Sequence, residues 1–412
     1  MTSVVIQDPS KEQQDAARAL ALLGVFFFVL VAGAYLYTAN WGPTIPRDGT
    51  GLVVGRDFLN FWMYGRAALT ADPGRFYDAL AYNQELAALL GTNYPGQNWS
   101  YPPSIMLPAL PFGQLSYVQA LLAWTLLSAG PFFAVARRHL NDPRLLLALL
   151  LSPAVVLCVI SGQSSLVTAA ILVGIFSCLD RKPIVAGILI ALLTLKPQLG
   201  LLFPFMLLAS GRWRVFIVAT VASLAIAAVT AALFGPQVWA DFVLKGLPVN
   251  NIVLSDPDGI ATPFYPTVFM NLRGVGASYA LAMAVQLCFA AVAVATVVWA
   301  FRFRRDADPR LLMALFFACS ISFVPYLLAY DTLALTVAAL MLLEAGKLDA
   351  AGRRFVQLVF WLPVLQMAFG AWHIPGPALI APAFAVYLVL QLRAAAPAGA
   401  RQTRPPVAES RA

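Results

Sequence analysis

The stretch LLLALLLSPAVVLCVISGQSSLVTAAILVGIFSCL, residues 145–179, carries no charged residue. A helix that crosses a bilayer needs roughly 20 apolar residues, fewer where it is short or partly re-entrant. Ser161-Gly162-Gln163 interrupts the run, which reads as two short spans, 145–160 and 164–179, joined by a polar turn. Similar runs recur from Ala17 to Leu392. In lipid every backbone polar group must be satisfied within the protein, so helices or closed barrels are the available solutions. Barrel strands would be short segments of alternating polarity, whereas these runs are continuous and rich in Leu, Ala and Val. The expectation is an all-α polytopic membrane protein.

Composition agrees: 60% of the residues are hydrophobic and 11% charged, with a mean hydropathy of +0.78. Working outward from 145–179, the pattern predicts about 12 transmembrane helices. They lie near 17–38, 116–136, 145–160, 164–179, 183–195, 198–210, 213–234, 275–301, 311–327, 330–344, 355–371 and 375–392. Residues 104–115 are apolar but proline-broken and read as re-entrant or interfacial. The run from Ala17 to Tyr37 ends in a cleavage-like Ala32-Gly33-Ala34, but its length and polar start favour an uncleaved anchor. With the N-terminus inside, 20 of the 27 Lys and Arg residues fall inside and 7 outside. That bias is an orientation signal, not a nucleic-acid patch, so no nucleic-acid partner is expected despite a net charge of +8. Residues 1–392 then form one transmembrane domain with outer loops at 39–103 and 235–274, and 393–412 reads as a disordered cytoplasmic tail. Both termini are expected to be cytoplasmic, in a bacterial-type inner (plasma) membrane. Cys158, Cys178, Cys288 and Cys319 all sit inside apolar runs, so neither a disulfide framework nor a metal site is expected.

Charged groups at membrane depth cost about 2.5–3.5 kcal/mol each on insertion scales, so each needs a reason. The polar residues out of place are Gln163, Lys196, Gln198, Asp331 and His373, and in this topology all lie at outer helix ends. Four of them have a plain structural reading. Gln163 would cap a helix end, Lys196 would snorkel to headgroups, Asp331 would be an N-cap, and His373 beside Trp372 an interface anchor. Asp256-Pro257-Asp258 resembles a metal motif but reads better as a turn. Asp57 resists such a reading. In GRDFLNFWMYGRAAL, residues 55–69, Asp57, Asn60, Phe61, Tyr64 and Ala68 share one helical face, and Phe58, Trp62, Arg66 and Leu69 the other. An interfacial helix in the outer leaflet is expected there, holding one carboxylate among aromatic rings.

Transfer of a sugar from a lipid phosphate suits that inventory. The departing phosphate is a weak base and needs cations, which Arg or Lys supplies. The acceptor hydroxyl needs one base, and a single aspartate suffices for inversion. Asp57 is the candidate base. Arg56, Arg66 and Lys196 are candidate phosphate ligands, and the Tyr101-Pro102-Pro103 turn lies on the same side.

The segments GRDFLNFWMYGRAALTADPGRFYD, SYPPSIMLPALPFGQL, LLLSPAVVLCVISGQSSLVTAAILVGIF, DRKPIVAGILIALLTLKPQLGLLFP and FGPQVWADF resemble glycosyltransferase family 87. The likeness runs from about Asp57 to Phe242 and more loosely through FVPYLLAYDTLAL at 323–335. It implies a GT-C type fold and inverting transfer of a hexose, typically mannose, from a polyprenyl-phosphate sugar donor. The acceptor would be an envelope glycan or glycolipid on the outer, periplasmic or extracellular, face of the lipid bilayer, and no cofactor is implied. The family's outer-loop aspartate maps onto Asp57, its L-K-P-Q lysine onto Lys196 and its G-Q glutamine onto Gln163. Gln198, Tyr101 and Asp331 are further candidate substrate-binding residues. The chain departs from the pattern at Ser164, where Asn is frequent, and at Tyr330-Asp331, where some mannosyltransferase members carry histidine. Two other readings fit the residues. One is a transporter or flippase of lipid-linked sugars, favoured by the helix break at Lys196-Pro197. The other is a non-catalytic partner in envelope assembly.

Overall fold

The computed structural model describes residues 11–255 and 262–394, with the side chains at 250–253 and 262 excepted. The Asp256-Pro257-Asp258 turn and the tail beyond 394 lie outside the described residues. Within them the chain is all-helical, and the extended pairing amounts to isolated bridges linking Asn40 with Arg47 and Arg47 with Val53.

Among the described residues seven helices are long and apolar enough to cross a membrane: Lys11–Thr38, Tyr117–His139, Pro143–Ser161, Trp213–Phe234, Tyr279–Phe303, Ala350–Ala371 and Gly376–Ala394. The other five expected spans are helical but shorter. Ser165–Cys178 has 14 residues, Pro309–Phe323 has 15 and Leu333–Glu344 has 12. At 1.5 Å per residue these reach about 18–23 Å, less than a hydrocarbon core of about 30 Å. The remaining two, Pro183–Leu195 and Pro197–Ala209, meet at Lys196-Pro197. Proline disfavours helical geometry in the residue before it, and Lys196 sits at φ −135°, ψ 76°. Ser165–Cys178, Pro309–Phe323 and Leu333–Glu344 are largely buried, whereas Pro183–Leu195 and Pro197–Ala209 expose apolar side chains such as Ile184 and Leu201. Every residue from Leu333 to Leu343 is buried, as expected of a helix apolar all round.

Helix starts follow from local sequence. Asp142-Pro143 and Asp308-Pro309 pair a capping carboxylate with proline at the first helical position, and each Asp accepts from the backbone N–H two residues on. Asp349 likewise accepts from Gly352 N. These caps share one end of the bundle with Glu344, which accepts from Asn141 and Asp142 N–H groups, and with the Arg353–Glu12 ion pair.

The opposite end carries a second, aromatic core, built from the segment after the first span. Here the interfacial-helix expectation fails. In the Arg56–Ala67 helix eight of twelve residues are buried, drawn from both faces: Phe58 and Trp62 from one, Phe61 and Tyr64 from the other. The cause is the proline-broken segment, which folds into short turns at Pro103–Ile105, Met106–Ala109 and Phe112–Gln114 and closes over the helix. Phe61 packs 4.2 Å from Trp124 and 5.5 Å from Phe112 between ring centroids. These rings form a protein core, not a headgroup anchor. Trp99, of the Asn98-Trp99-Ser100 sequon, belongs to it, buried against Tyr64 at 3.5 Å.

Candidate active site

Asp57 occupies the first turn of its helix, where the positive end of the helix dipole favours a carboxylate. The turn before it is fixed from two sides. Tyr117 donates to the carbonyls of Val54 (2.7 Å) and Gly55 (3.0 Å), and Gly55 N–H donates to the Tyr35 hydroxyl at 3.3 Å. Gly55 holds φ +71°, a left-handed conformation open to glycine at little cost.

Gln163 reaches Asp57 because Gly162 has no side chain. A Cβ on Gly162 would stand 2.5 Å from Phe58 Cβ, and its φ of +69° is again left-handed. Trp124 Nε1 donates to the Gly162 carbonyl at 3.0 Å and locks the turn. Gln163 Nε2 then donates to Asp57 Oδ2 at 3.4 Å, and Gln163 Oε1 accepts from the Tyr101 hydroxyl at 3.1 Å. Tyr101 is itself held through its backbone by the Tyr64 and Tyr77 hydroxyls.

A residue that sequence reasoning did not place in the site completes it. The Tyr330 hydroxyl donates to Asp57 Oδ2 at 2.7 Å and accepts from Gln163 Nε2 at 3.1 Å. Its neighbour Asp331 accepts on Oδ1 from Lys196 Nζ at 2.7 Å and from Ser165 Oγ at 2.5 Å. The Lys196 and Asp331 side chains are each 2% exposed. Lys196 therefore does not snorkel, and Asp331 is not a cap: it closes a buried ion pair. The Lys196 ammonium also lies 5.4 Å from the centre of the Tyr330 ring. The adjacency of Tyr330 to Asp331 was the available signal for the missed residue.

The remaining candidates differ. Arg56 is exposed and adjoins Asp57, whose carboxyl feels its charge. Arg66 is exposed too, but its guanidinium stacks on Trp62 at 4.8 Å, on the face turned away from Asp57. Gln198 is half-buried one short turn beyond Lys196 and makes no side-chain hydrogen bond to a described residue. His373 is exposed.

Burial raises the Asp57 carboxyl above its ordinary 3.8. The Tyr330 hydrogen bond opposes this most strongly, followed by the charges of Arg56 and Lys196 and the hydrogen bond from Gln163. Both hydrogen bonds fall on Oδ2, and Oδ1 accepts none from a described residue. Among the described residues the arrangement presents one carboxylate oxygen without a hydrogen bond, held in orientation from behind and flanked by Arg56, which makes no ion pair there. It can take a proton beside a bound anion. No curated protein and no solved structure matches the chain. The sequence profile of glycosyltransferase family 87 matches residues 99–330, more than half of the chain and including Tyr101, Gln163, Lys196 and Tyr330. Together with its set of apolar crossing helices, that match makes the chain a membrane glycosyltransferase belonging to glycosyltransferase family 87.

Proposed function

We propose that the protein is a GT-C type, inverting hexosyltransferase that moves mannose from a polyprenyl-phosphate donor to an envelope glycan or glycolipid acceptor. The site faces outward from a bacterial-type inner membrane, with both termini cytoplasmic. The acceptor hydroxyl oxygen attacks the anomeric carbon and its proton passes to Asp57 Oδ1. The bond from the anomeric carbon to the phosphate oxygen breaks, and its electron pair leaves with the lipid phosphate. One displacement inverts the anomeric centre and needs no second carboxylate.

The observation that carries this reading is the placement of Asp57. A single carboxylate is braced on Oδ2 by Tyr330 and Gln163, keeps Oδ1 open and has Arg56 beside it. Arg56 is the cation we assign to the departing phosphate, since Lys196 is neutralised by Asp331 and Arg66 is stacked on Trp62. The Lys196–Asp331 pair at the helix break is buried and its charges meet each other, so Lys196 offers no free charge to a lipid-linked anion.

The test is transfer in membranes bearing the protein, with labelled polyprenyl-phosphate mannose and a mixed envelope acceptor pool. Wild type is compared with Asp57→Asn at matched protein level. A general base contributes roughly 10²–10⁴-fold, so transfer should fall by that factor in the variant. Equal transfer in both removes Asp57 from the chemistry. Movement of the labelled lipid across the membrane without transfer, in both, favours the flippase reading.

A further inference from the structure

Lys196, Asp331 and Ser165 come from three separate elements: the break between two short helices, the 3-10 turn Ala329–Thr332, and the first residue of the Ser165–Cys178 helix. None of the three side chains hydrogen-bonds to Asp57. What they share is Asp331 Oδ1, and Asp331 adjoins Tyr330 in a turn of four residues. Both partners of that turn's carboxylate are buried, so neither is drawn off by solvent. Neighbours in so short a turn share its backbone, so anchoring one side chain restrains the backbone from which the other extends. The bonds to Asp331 Oδ1 therefore set the backbone that carries Tyr330, and the Lys196 ammonium 5.4 Å from the Tyr330 ring centre restrains the ring itself through a cation–π contact.

We propose that Lys196, Asp331 and Ser165 form a clamp of positioning residues that fixes the 329–332 turn and aims the Tyr330 hydroxyl at Asp57. Lys196 is then not a ligand of the donor phosphate, although it is the site's most conspicuous lysine in sequence. This rests on the reading of Asp57 as the base. The groups facing Asp57 are Tyr330 from the clamped turn, Gln163 from the 162–164 turn, Arg56 from its own helix and, through charge, Lys196. Tyr101, Tyr117, Tyr265 and Tyr326 lie within electrostatic range.

The experiment measures kcat/KM for polyprenyl-phosphate mannose transfer against pH, and donor KM, for wild type, Asp57→Asn, Tyr330→Phe, the double variant Lys196→Met/Asp331→Leu, and the triple variant that adds Tyr330→Phe. The double variant leaves no stranded charge, but losing the Lys196 charge also raises the Asp57 carboxyl, so the comparison with the triple variant decides. The clamp requires that its acid limb move to higher pH, as in Tyr330→Phe, with donor KM within about two-fold of wild type. It also requires that adding Tyr330→Phe move the limb no further. A donor KM raised tenfold with an unmoved limb overturns the proposal and returns Lys196 to the phosphate, and so does an additive shift in the triple variant. Should the double variant fail to accumulate, Ser165→Ala carries the test: a smaller upward shift of the limb supports the clamp and an unchanged limb overturns it. Full activity in Asp57→Asn is a separate outcome that sinks the base assignment itself.

Discussion

Tyr330 and Asp57 stand 273 residues apart in the chain, and the phenol of one donates to the carboxylate of the other across 2.7 Å. The bond favours the ionised carboxylate, while burial opposes it and prevails. For a carboxyl raised above its unfolded 3.8, the folded state holds the proton more tightly than the unfolded state. Stability is therefore greatest at low pH and is lost as pH rises through the folded value. A base must be ionised, so activity runs the other way and rises over the same window. Asp57→Asn should thus be inactive yet at least as stable as wild type at neutral pH, with the difference vanishing below about pH 4, where both states are neutral. Melting curves of detergent-extracted protein at several pH values, beside the transfer rate, check this. A variant less stable than wild type at neutral pH would mean that the carboxylate is structural.

Arg56 should act on the donor and not on the base alone. A hydrogen bond to a charged partner contributes about 1.5–3 kcal/mol, which is roughly 10–100-fold in a binding constant. Arg56→Gln is expected to raise donor KM within that range while leaving acceptor KM unchanged. Its charge also lowers the Asp57 carboxyl, so the acid limb should move up modestly. Steady-state kinetics in both substrates separate the two effects. Arg66→Gln, which loses a stack on Trp62, should leave donor KM as it was.

The Lys196–Asp331 pair predicts an asymmetry in stability. Removing one partner of a buried pair strands the other charge and costs about 3–5 kcal/mol. Replacing both with apolar groups of similar volume is near neutral, or stabilising. Lys196→Ala and Asp331→Ala should each fail to accumulate or melt far below wild type, and Lys196→Met/Asp331→Leu should recover wild-type stability. Expression level and thermal midpoint measure it. Equal loss in the single and double variants would show that the side chains contribute by packing instead of by charge.

The class was legible because long apolar runs have few alternative fates, and the site residues stood out because polar groups at membrane depth are costly. Gln163, Lys196 and Asp331 were visible on that ground. Their partnerships were not. Lys196 meets Asp331 across 135 residues, and no periodicity encodes a contact at that separation. Periodicity also assigned the faces of the Arg56–Ala67 helix and then misjudged their surroundings. Faces can be read from spacing, but what covers them depends on Gly65 and Gly113 permitting a second segment to close on the helix. Seven of the 12 expected spans have the length and apolarity to cross, and the other five are shorter: proline at 183, 197 and 309 marks helix starts correctly, yet gives no measure of how far each helix reaches.

Gly65 and Gly113 are where that closure can be probed. A Cβ on Gly65 would lie 2.2 Å from the Ala109 carbonyl oxygen, and one on Gly113 would lie 2.2 Å from the Gly65 carbonyl carbon. Both obstacles are backbone, so no rotamer change relieves them. Overpacking of this kind costs typically 1–3 kcal/mol, and more where backbone must shift. Gly65→Ala and Gly113→Ala should lower the thermal midpoint and, by tilting the helix that carries Asp57, reduce kcat. Gly130→Ala is the control: it lies in the Tyr117–His139 helix with nothing within 4 Å of its added Cβ, and should be neutral or mildly stabilising.

Orientation is open to a labelling test of its own. Thr50 is exposed in the loop that leads to Asp57, hydrogen-bonded to Asp48. Asp306 is exposed at the other end of the bundle, beside the Asp308–Lys347 pair and the caps of the inner helix starts. From the charge bias we expect the Thr50 end to lie outside. Of the native cysteines Cys158 and Cys319 are buried, Cys178 is half-buried and Cys288 is exposed, so a Cys178→Ser/Cys288→Ser background suits the experiment. In that background Thr50→Cys should react with a membrane-impermeant maleimide in intact cells, and Asp306→Cys should react once the membrane is opened. The reverse pattern would turn the molecule over and put Asp57 at the cytoplasmic face. A donor sugar would then reach it without first crossing the membrane, and the outer-face acceptor would have to be abandoned.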